Sequence, residues 1–543
     1  MSVNLTPQRN ERLDRYRVDG QLYTIGTSAG RVGFHAQQWR ALDLVSNLIV
    51  DLQSVENPEV GVLGAGVSGT VCFTALKALG VKNVKLIEAH DDILQQQATA
   101  EHRHAHPSYN DWPIQLDQGR EYLSTTNLPF MNWYADNVKE ITEQIKEDEN
   151  FASFCKENSD DVLTSHTITN IRLDKMDDRI YVTADHPLKR NKRFRFDFTI
   201  IALGFGREKH LHLSSSGSYW WSDNVKNYRS DHLYADLPRY VTGKGDGGLI
   251  DYVRLALKEG NVLDKNETNP ALEVIGLLRK EEYQKLDNAW PEKNQQATDA
   301  EKHLAECFAP QEGEPNPQNF YNFMHRLCTE NSHYPGAEEI QKMIERNFKR
   351  AEELDRIHLV GDGDTPFNEK VSPVNALLYS LFYTSNENER YKQGGIEDNR
   401  LQINGEPVSE KHIHFTRTGS QDLIEGLLVG EDLKEKYTKL LAERGVNNDL
   451  IFEWERIFVN IPVKFDSNKR LDLAEKFLRR YFNNADIYLE PDETFVVCLP
   501  EDDSNDNVYK KLGGFDRQIF GVGVKYEFRH ACPVCGVDFE AAP

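Results

Sequence analysis

Three glycines and one acid near the start of the chain have the spacing of a nucleotide-binding site. Gly64, Gly66 and Gly69 follow a short apolar strand and open a helix, and a second apolar strand ends in Glu88. Glycines at these positions permit a tight turn, close approach of the backbone to a pyrophosphate, and close packing of helix on sheet. The first N–H groups of the helix and its positive dipole end favour a bound phosphate. The spacing therefore predicts a βαβ unit that binds a dinucleotide.

The acid narrows the choice of dinucleotide. Glu88 lies 19 residues after Gly69, close to the roughly 20 expected for a carboxylate that binds the adenosine ribose. A carboxylate here would repel the 2′-phosphate of NADP, so FAD or NAD is the expected ligand. Ala65, Val67 and Ser68 complete the phosphate-binding turn. A Rossmann-like unit that binds nothing remains the alternative.

A polar loop after Glu88 contains further candidate residues. His102, His104 and His106 alternate along it, and Arg103 could reach a cofactor phosphate. Alternating imidazoles could hold a metal, but no carboxylate or cysteine is placed to complete the site, so no metal is predicted. His104, His106 and Asp111 are candidate catalytic bases by position alone. The alternative for each is a hydrogen-bonded loop residue.

A second glycine turn repeats the pattern of strand, turn and helix. Its glycines are Gly243, Gly245 and Gly248. The apolar run Leu272–Leu278 predicts a following strand, which would end in the basic pair Arg279-Lys280 and suit the extra phosphate of NADP. Asp246 lies inside the turn, where a carboxylate would repel a phosphate. Both a nicotinamide dinucleotide site and a purely structural turn therefore remain open.

Composition limits the protein's class. At 543 residues the chain predicts two or three domains. A net charge of −23 argues against non-specific binding to nucleic acid. No apolar stretch approaches transmembrane length, and no signal peptide is recognisable at the start. Seven mostly isolated cysteines indicate reduced thiols and a cytoplasmic protein. The late Cys532–Cys535 pair is half of a zinc site without a second half.

Other segments provide the elements that must position these residues. Arg31–Gln53 has the periodicity of an amphipathic helix, which we expect to pack on the nucleotide domain rather than form a partner-binding arm. Residues 160–204 predict β structure, with Phe194–Ile201 as a buried strand that ends near Gly204. Residues 281–352 are polar and helical. A short strand then ends at Gly361-Asp362.

Together these motifs indicate a known family. The chain resembles the flavoproteins with two dinucleotide-binding domains, a group that includes flavin-containing monooxygenases and glutathione-reductase-like enzymes. Val60–Glu88 matches the FAD fingerprint, Asp197–Gly206 the small-residue strand end, and Gly243–Gly248 lies where the family has its NAD(P) domain. The resemblance implies that Asp362, after Gly361, contacts the flavin ribitol. Phe73 departs from the family, which generally has Ala or Gly at this helix position.

The resemblance implies an α/β fold: a Rossmann-type FAD-binding domain, an inserted second dinucleotide-binding-like domain, a helical insertion and an α+β C-terminal region. The predicted units are an N-terminal helical arm (1–57), the FAD domain (58–235), the NAD(P)-binding-like domain with the helical insertion (236–355), and a return to the FAD domain with the C-terminal region (356–543).

The implied function is that of an FAD-dependent oxidoreductase, linked to NAD or NADP, which transfers hydride through the flavin to oxygen or to an organic substrate. One alternative is an oxidase or dehydrogenase whose second turn is structural. Another is an FAD- or NAD-binding sensor or scaffold without turnover. The small-molecule substrate, a protein partner of the N-terminal arm or the C-terminal third, and homo-oligomer formation remain open.

Overall fold

The computed structural model describes most of the chain. It covers residues 12–25, 33–106, 128–204, 207–210, 213, 237–258, 270–278, 337–348, 354–363, 366–367, 371–383, 391–409, 412–418, 420–446, 461, 467–500, 508, 511–512 and 523–528. Strands and helices alternate through these residues, and two six-stranded sheets contain runs of parallel strands. The predicted α/β class is confirmed at this level.

The described strands are β1 Arg17–Asp19, β2 Leu22–Thr24, β3 Glu59–Leu63, β4 Asn83–Ile87, β5 His104–Ala105, β6 Asp136–Asn137, β7 Val162–Leu163, β8 Thr167–Asp174, β9 Arg179–His186, β10 Lys189–Phe196, β11 Phe198–Ile201, β12 Arg207–Glu208, β13 Arg239–Thr242, β14 Ile357–Gly361, β15 Tyr391–Glu397, β16 Arg400–Ile403, β17 Glu406–Pro407, β18 Ile413–Thr416, β19 Ser420–Gln421, β20 Asp486–Leu489, β21 Thr494–Leu499 and β22 Gly523–Phe528. The described α-helices are α1 Phe34–Gln53, α2 Val67–Ala78, α3 Gln95–Ala98, α4 Val138–Glu147, α5 Glu149–Glu157, α6 Asp246–Ala256, α7 Pro270–Leu278, α8 Ala337–Asn347, α9 Pro373–Tyr383, α10 Glu431–Val446 and α11 Ser467–Tyr481.

The first sheet is organised around the first glycine turn. Its order is β1-β2-β11-β3-β4-β7, and β2, β11, β3, β4 and β7 run parallel. The apolar residues of β3 and β11 are buried almost completely, as expected for parallel strands covered on both faces. Parallel strands end at the same edge, so the turns after β3, β4 and β11 lie together there.

The N-terminal segment belongs to this first unit. Strand β2 pairs with β11 and extends the sheet, and 15 of the 20 residues of α1 are buried. Trp39 and Leu42 of α1 share an apolar core with Val71 and Leu76 of α2. Packing of this helix on the nucleotide unit is therefore confirmed. Among the described helices, none is long and apolar enough to cross a membrane.

An antiparallel sheet, β8-β9-β10, lies along the chain between β7 and β11. The segment Phe194–Ile201, predicted as one strand, is two strands that separate at Asp197. The carboxylate of Asp197 accepts a hydrogen bond from the Glu59 N–H at 2.8 Å and pairs with Arg179. The chain therefore leaves the antiparallel sheet and enters the parallel one at this residue.

The second sheet is organised around the second glycine turn. Its order is β17-β16-β15-β14-β13-β18, with β13 between the parallel strands β14 and β18. Strand β14 ends at Gly361, and its pairing with β13 places Gly361-Asp362 in the second unit. The predicted return of this strand to the FAD domain is wrong, because a short apolar strand carries no signal for which sheet it joins.

The run predicted as a strand at Leu272–Leu278 is the helix α7. A continuous apolar run is ambiguous between a strand and a buried helix. Pro270 at the first helical position favours the helix, since its ring fixes a helical φ and its missing N–H is not needed there. Arg279-Lys280 lies outside the described residues, and no strand leads to it.

The C-terminal unit contacts the first unit through α11. Arg480 lies 2.8 Å from the Asp136 carboxylate, and the Tyr481 hydroxyl donates to the Ala135 carbonyl at 3.2 Å. The Phe477 ring packs edge-on against Tyr134, with 5.8 Å between the ring centroids. Helix α11 therefore docks beside the paired strands β5 and β6.

Candidate functional site

The first glycine turn connects β3 to α2 by very close backbone packing. Gly64 has φ +99°, and a Cβ added there would lie 2.6 Å from the Ala202 carbonyl oxygen. A Cβ on Gly69 would lie 1.8 Å from the Gly64 carbonyl oxygen, so only glycine allows the helix to pack this closely. A Cβ on Gly66 would meet nothing closer than 3.8 Å. The middle glycine therefore borders open space, and its two neighbours close the turn.

The second turn has the same construction. Gly243 has φ +133°, and a Cβ there would lie 1.9 Å from the Arg417 carbonyl oxygen. A Cβ on Gly248 would lie 2.0 Å from the Gly243 carbonyl oxygen, whereas a Cβ on Gly245 meets nothing within 4 Å. Both turns thus leave the middle glycine open at the start of a helix whose N-cap residue makes no side-chain capping hydrogen bond. Such a helix end suits an anionic ligand.

The carboxylate of Asp246, the acid inside the second turn, points towards helix α9. Its Oδ1 accepts hydrogen bonds from the Ser372 N–H at 2.9 Å, the Ser372 hydroxyl at 2.9 Å and the Asn375 amide at 2.7 Å. Ser372 and Asn375 lie at the start of α9. The carboxylate therefore holds α9 against α6, with its Oδ1 bound to the residues at the start of α9.

Glu88 stands at the carboxyl end of β4, where the sequence predicts a ribose-binding acid. Its Oε2 accepts from the Ala65 N–H at 2.5 Å and its Oε1 from the His90 N–H at 2.8 Å. The side chain is only 8% exposed. These two bonds fix the carboxylate beside the turn, at the edge where the adenosine end of a dinucleotide would lie.

The corresponding position of the second unit has no acid. The Gly64 N–H donates to the Ile87 carbonyl, and the Gly243 N–H donates to the Val360 carbonyl in the same way. Gly361 is therefore the counterpart of Glu88.

Lys244 covers this glycine. A Cβ on Gly361 would lie 2.4 Å from Lys244 Cγ, so the lysine side chain runs over the space that an acid would fill. Its ammonium lies 3.1 Å from the exposed Asp362 carboxylate and lowers the pKa of Asp362. Asp362 thus pairs with a lysine of the second turn, and its contact with a flavin ribitol stays a prediction.

The small-residue strand end lies beside the first turn. The Ala202 N–H donates to the Leu63 carbonyl at 2.8 Å, which fixes the end of β11 against Gly64. Gly204 follows with φ +75°, and a Cβ there would meet nothing within 4 Å. The structure therefore brings Gly204 to the same sheet edge as Gly66 and Glu88.

Arg103 occupies a buried ion-pair cluster. Its Nη1 lies 2.8 Å from Asp251 Oδ1, and Arg417 Nε lies 2.6 Å from Asp251 Oδ2. Asp251 is fully buried on α6, and the guanidinium groups of Arg103 and Arg417 keep its pKa below the ordinary value despite burial, which acts in the opposite direction. This cluster joins the two nucleotide units, and a contact between Arg103 and a cofactor phosphate stays a prediction.

The candidate bases gain little support. Burial, with Arg254 and Arg480 nearby, lowers the pKa of His104 to about 4, so the imidazole is neutral and only weakly basic at neutral pH. His106 is buried, and Asp111 lies outside the described residues. Within the described part of the chain, no group of three potential ligands converges on a metal site. The Cys532–Cys535 pair lies outside that part.

Two features of the site escaped the sequence analysis. Lys244 was visible inside the second turn, but only the register of β13 and β14 shows that it covers Gly361. The side chain of Gln37 on α1 reaches Ser68 in the first turn, where the serine hydroxyl donates to Gln37 Oε1 at 3.1 Å. No sequence signal connects these two residues, because they lie on different helices.

Comparison with known proteins adds the following. No family model matches the chain, and no curated protein matches it. Among solved structures, it is similar to an oxidized steroid monooxygenase bound to NADP, with 14% identity, TM-score 0.32, and coverage of 69% of this chain and 74% of the other. It is also similar to OTEMO in complex with FAD and NADP, with 12% identity, TM-score 0.34, and coverage of 69% of this chain and 74% of the other.

A polycyclic ketone monooxygenase from the thermophilic fungus Thermothelomyces thermophila covers more of the chain. It gives 11% identity, TM-score 0.33, and coverage of 95% of this chain and 90% of the other. Identities and TM-scores of this size do not establish an activity, so any functional conclusion rests on the geometry of the two turns.

Proposed function

We propose that this protein is an FAD-dependent oxidoreductase that uses NADPH, with FAD on the first glycine turn and NADPH on the second. One observation carries the proposal: two turns of the same backbone construction differ in the side chain that occupies the end of the neighbouring strand. The first is followed by Glu88, whereas the second has Gly361 covered by Lys244. A fold with two such turns suits two different dinucleotides rather than one.

The residues of the first turn fit FAD. Gly66 leaves the space that a pyrophosphate needs, and the N-terminus of α2 supplies N–H groups and the positive end of a helix dipole. Glu88 is held where its carboxylate can accept hydrogen bonds from ribose hydroxyls. When bound, FAD supplies the capacity to accept a hydride and to pass reducing equivalents to oxygen or to an organic substrate.

The residues of the second turn fit NADPH better than NADH. An acid at the end of the second strand favours free ribose hydroxyls, whereas a cation near that point favours a 2′-phosphate. Here Gly361 removes the acid, and Lys244 brings an ammonium to the same place. Asp362 is 94% exposed, so its side chain can turn into solvent when a phosphate pairs with the lysine.

Spectroscopy of the purified protein tests this function. We expect bound flavin, identified by its visible spectrum and by the mass of the released ligand, and anaerobic bleaching by NADPH in preference to NADH. Bound flavin that neither donor reduces would favour a sensor or scaffold without turnover. Protein that carries no flavin and takes up none would contradict the proposal.

Replacement of Lys244 tests the second turn separately. We expect Lys244→Met to weaken NADPH binding by about 10-fold to 100-fold, because a charged hydrogen-bonding partner of the phosphate is lost. NADH binding and flavin content should not change. Lys439, an exposed lysine of α10, provides the matched control Lys439→Met. Equal losses for NADPH and NADH would contradict recognition of the 2′-phosphate by Lys244.

A further inference from the structure

Helix α1, which precedes the nucleotide-binding unit in the chain, runs alongside α2. The Ser68 hydroxyl donates to Gln37 Oε1 at 3.1 Å, and the Cys72 thiol lies 3.9 Å from the Ala41 carbonyl oxygen. The two contacts lie four residues apart on both helices, so the helices run in the same direction. The first turn of α1 is thereby held at the N-terminus of α2, next to the open side of the glycine turn.

Gln37 presents an unsatisfied donor at this position. Its side chain is only 6% exposed. Oε1 accepts from Ser68, whereas Nε2 has no hydrogen-bond partner among the described residues. Both atoms are bonded to the same carbon, so Nε2 lies at the same turn. A buried N–H without a partner costs free energy, and a ligand that accepts its hydrogen bond would recover that cost.

The neighbouring glutamine on α1 shows what a structural role looks like. Gln38 Nε2 donates to the Phe130 carbonyl at 2.6 Å, and Gln38 Oε1 accepts from the Trp133 indole N–H at 3.0 Å. Both ends of that amide are therefore used to hold the fold together. Gln37 differs from Gln38 because only one end of its amide is used.

A second glutamine borders the open space over the turn. Gln97 of α3 contributes through Nε2 the nearest atom to a Cβ built on Gly66, at 3.8 Å. Its Oε1 is buried and has no hydrogen-bond partner in the described part of the chain. Neutral amides from helices α1 and α3 thus lie at Ser68 and Gly66 of the turn, while Arg103 pairs with Asp251.

We propose that Gln37 donates a hydrogen bond through Nε2 to the pyrophosphate of the dinucleotide on the first turn, with Gln97 as a second amide contact. Helix α1 is then part of the binding site as well as of the core. The inference rests on the proposed function, because it requires a dinucleotide on this turn.

Two separate variants, Gln37→Leu and its control Gln38→Leu, test the inference in the full-length protein from which any bound ligand has been removed. Affinities for FAD and ADP are measured by fluorescence titration and displacement, with adenosine as a probe that lacks phosphate. We expect Gln37→Leu to weaken FAD and ADP binding by about 10-fold or more, to leave adenosine binding unchanged, and to leave the melting temperature unchanged or higher. Gln38→Leu should lower the melting temperature and keep the affinities.

The outcomes separate the two proposals. If the unaltered protein binds neither FAD nor ADP, the function proposed for the first turn fails, and this inference fails with it. If it binds both and Gln37→Leu binds them equally well, only the role of Gln37 is wrong. If Gln37→Leu does not fold, Gln37→Glu is the second variant that tests the inference. Its carboxylate would repel the pyrophosphate, so unchanged FAD affinity in that variant also overturns the inference.

Discussion

Substitution by alanine should affect different properties of the protein at Gly66 and at Gly69, the two glycines of the first turn that lie three residues apart. Gly66→Ala places a methyl group in open space, since the nearest atom is the flexible end of Gln97 at 3.8 Å. The backbone of Gly66, at φ −72° and ψ −169°, is accessible to alanine. Gly69→Ala instead places its methyl 1.8 Å from the Gly64 carbonyl oxygen. One variant should lose binding, and the other should lose stability.

The expected magnitudes follow from these contacts. Gly66→Ala should cost about 0.5–1 kcal/mol of stability, the lower part of the range for replacing a favourable N-cap residue by alanine. Its methyl would keep a phosphate away from the N–H groups, and loss of one charged hydrogen bond, about 1.5–3 kcal/mol, weakens binding about 10-fold to 100-fold. Gly69→Ala should cost about 1–3 kcal/mol or more through overpacking. The better helix propensity of alanine, about 0.5–1 kcal/mol, offsets this only in part.

Two measurements on each variant distinguish loss of binding from loss of stability. Urea unfolding of ligand-free protein reports stability, and fluorescence titration with FAD reports affinity. We expect Gly66→Ala to keep its unfolding midpoint with weak binding, and Gly69→Ala to unfold at lower urea. If Gly66→Ala binds FAD as tightly as the unaltered protein, no phosphate lies against this turn and the assignment of the site is refuted.

Two further predictions concern the buried ion pairs. Asp251→Asn should destabilise the protein by about 3–5 kcal/mol in urea unfolding, because it leaves buried guanidinium groups without a counter-charge. Since the pKa of Asp251 is lowered, this effect should persist from neutral pH down to mildly acidic pH and be lost only in strong acid. Exposed Asp432→Asn is the control and should leave the unfolding midpoint nearly unchanged. At Asp136, burial outweighs the opposing effect of Arg480 and raises the pKa from 3.8 to about 6. The folded state therefore binds this proton more tightly, and stability relative to Asp136→Asn should fall by about 2 kcal/mol as the pH rises from about 4 to about 7. A difference between the two proteins that does not change with pH would contradict the raised pKa.

Several features of the fold could be predicted because they depend on local interactions. The turn from Gly64 to Gly69, the acid at Glu88 and the helix that became α1 each follow from residues close together in sequence. Phe73, which departs from the family pattern, was recognisable as unusual. Its ring packs edge-on against Phe154 of α5, with 5.8 Å between the ring centroids, and only the structure supplies that partner.

The errors arose where a choice depended on distant residues. The strand before Asp362 is predicted to return to the FAD domain, but a short apolar run does not specify which sheet it joins, and its pairing with β13 places it in the second sheet. The sequence shows a carboxylate at Asp246 but does not predict where its side chain points. Its partners Ser372 and Asn375 lie more than 120 residues away in the chain. The ion pair between Arg103 and Asp251 could not be predicted, because the two residues lie 148 positions apart in the chain.

The sequence by itself determined two glycine turns, each at the start of a helix, and a carboxylate after the first, since backbone conformation and strand spacing are local properties. Only the tertiary structure decided that Lys244 covers the counterpart of Glu88 in the second unit and that Gln37 reaches the first turn. The physical reason is that strand register and helix packing determine which side chains share a space. Those contacts join residues that no local pattern relates.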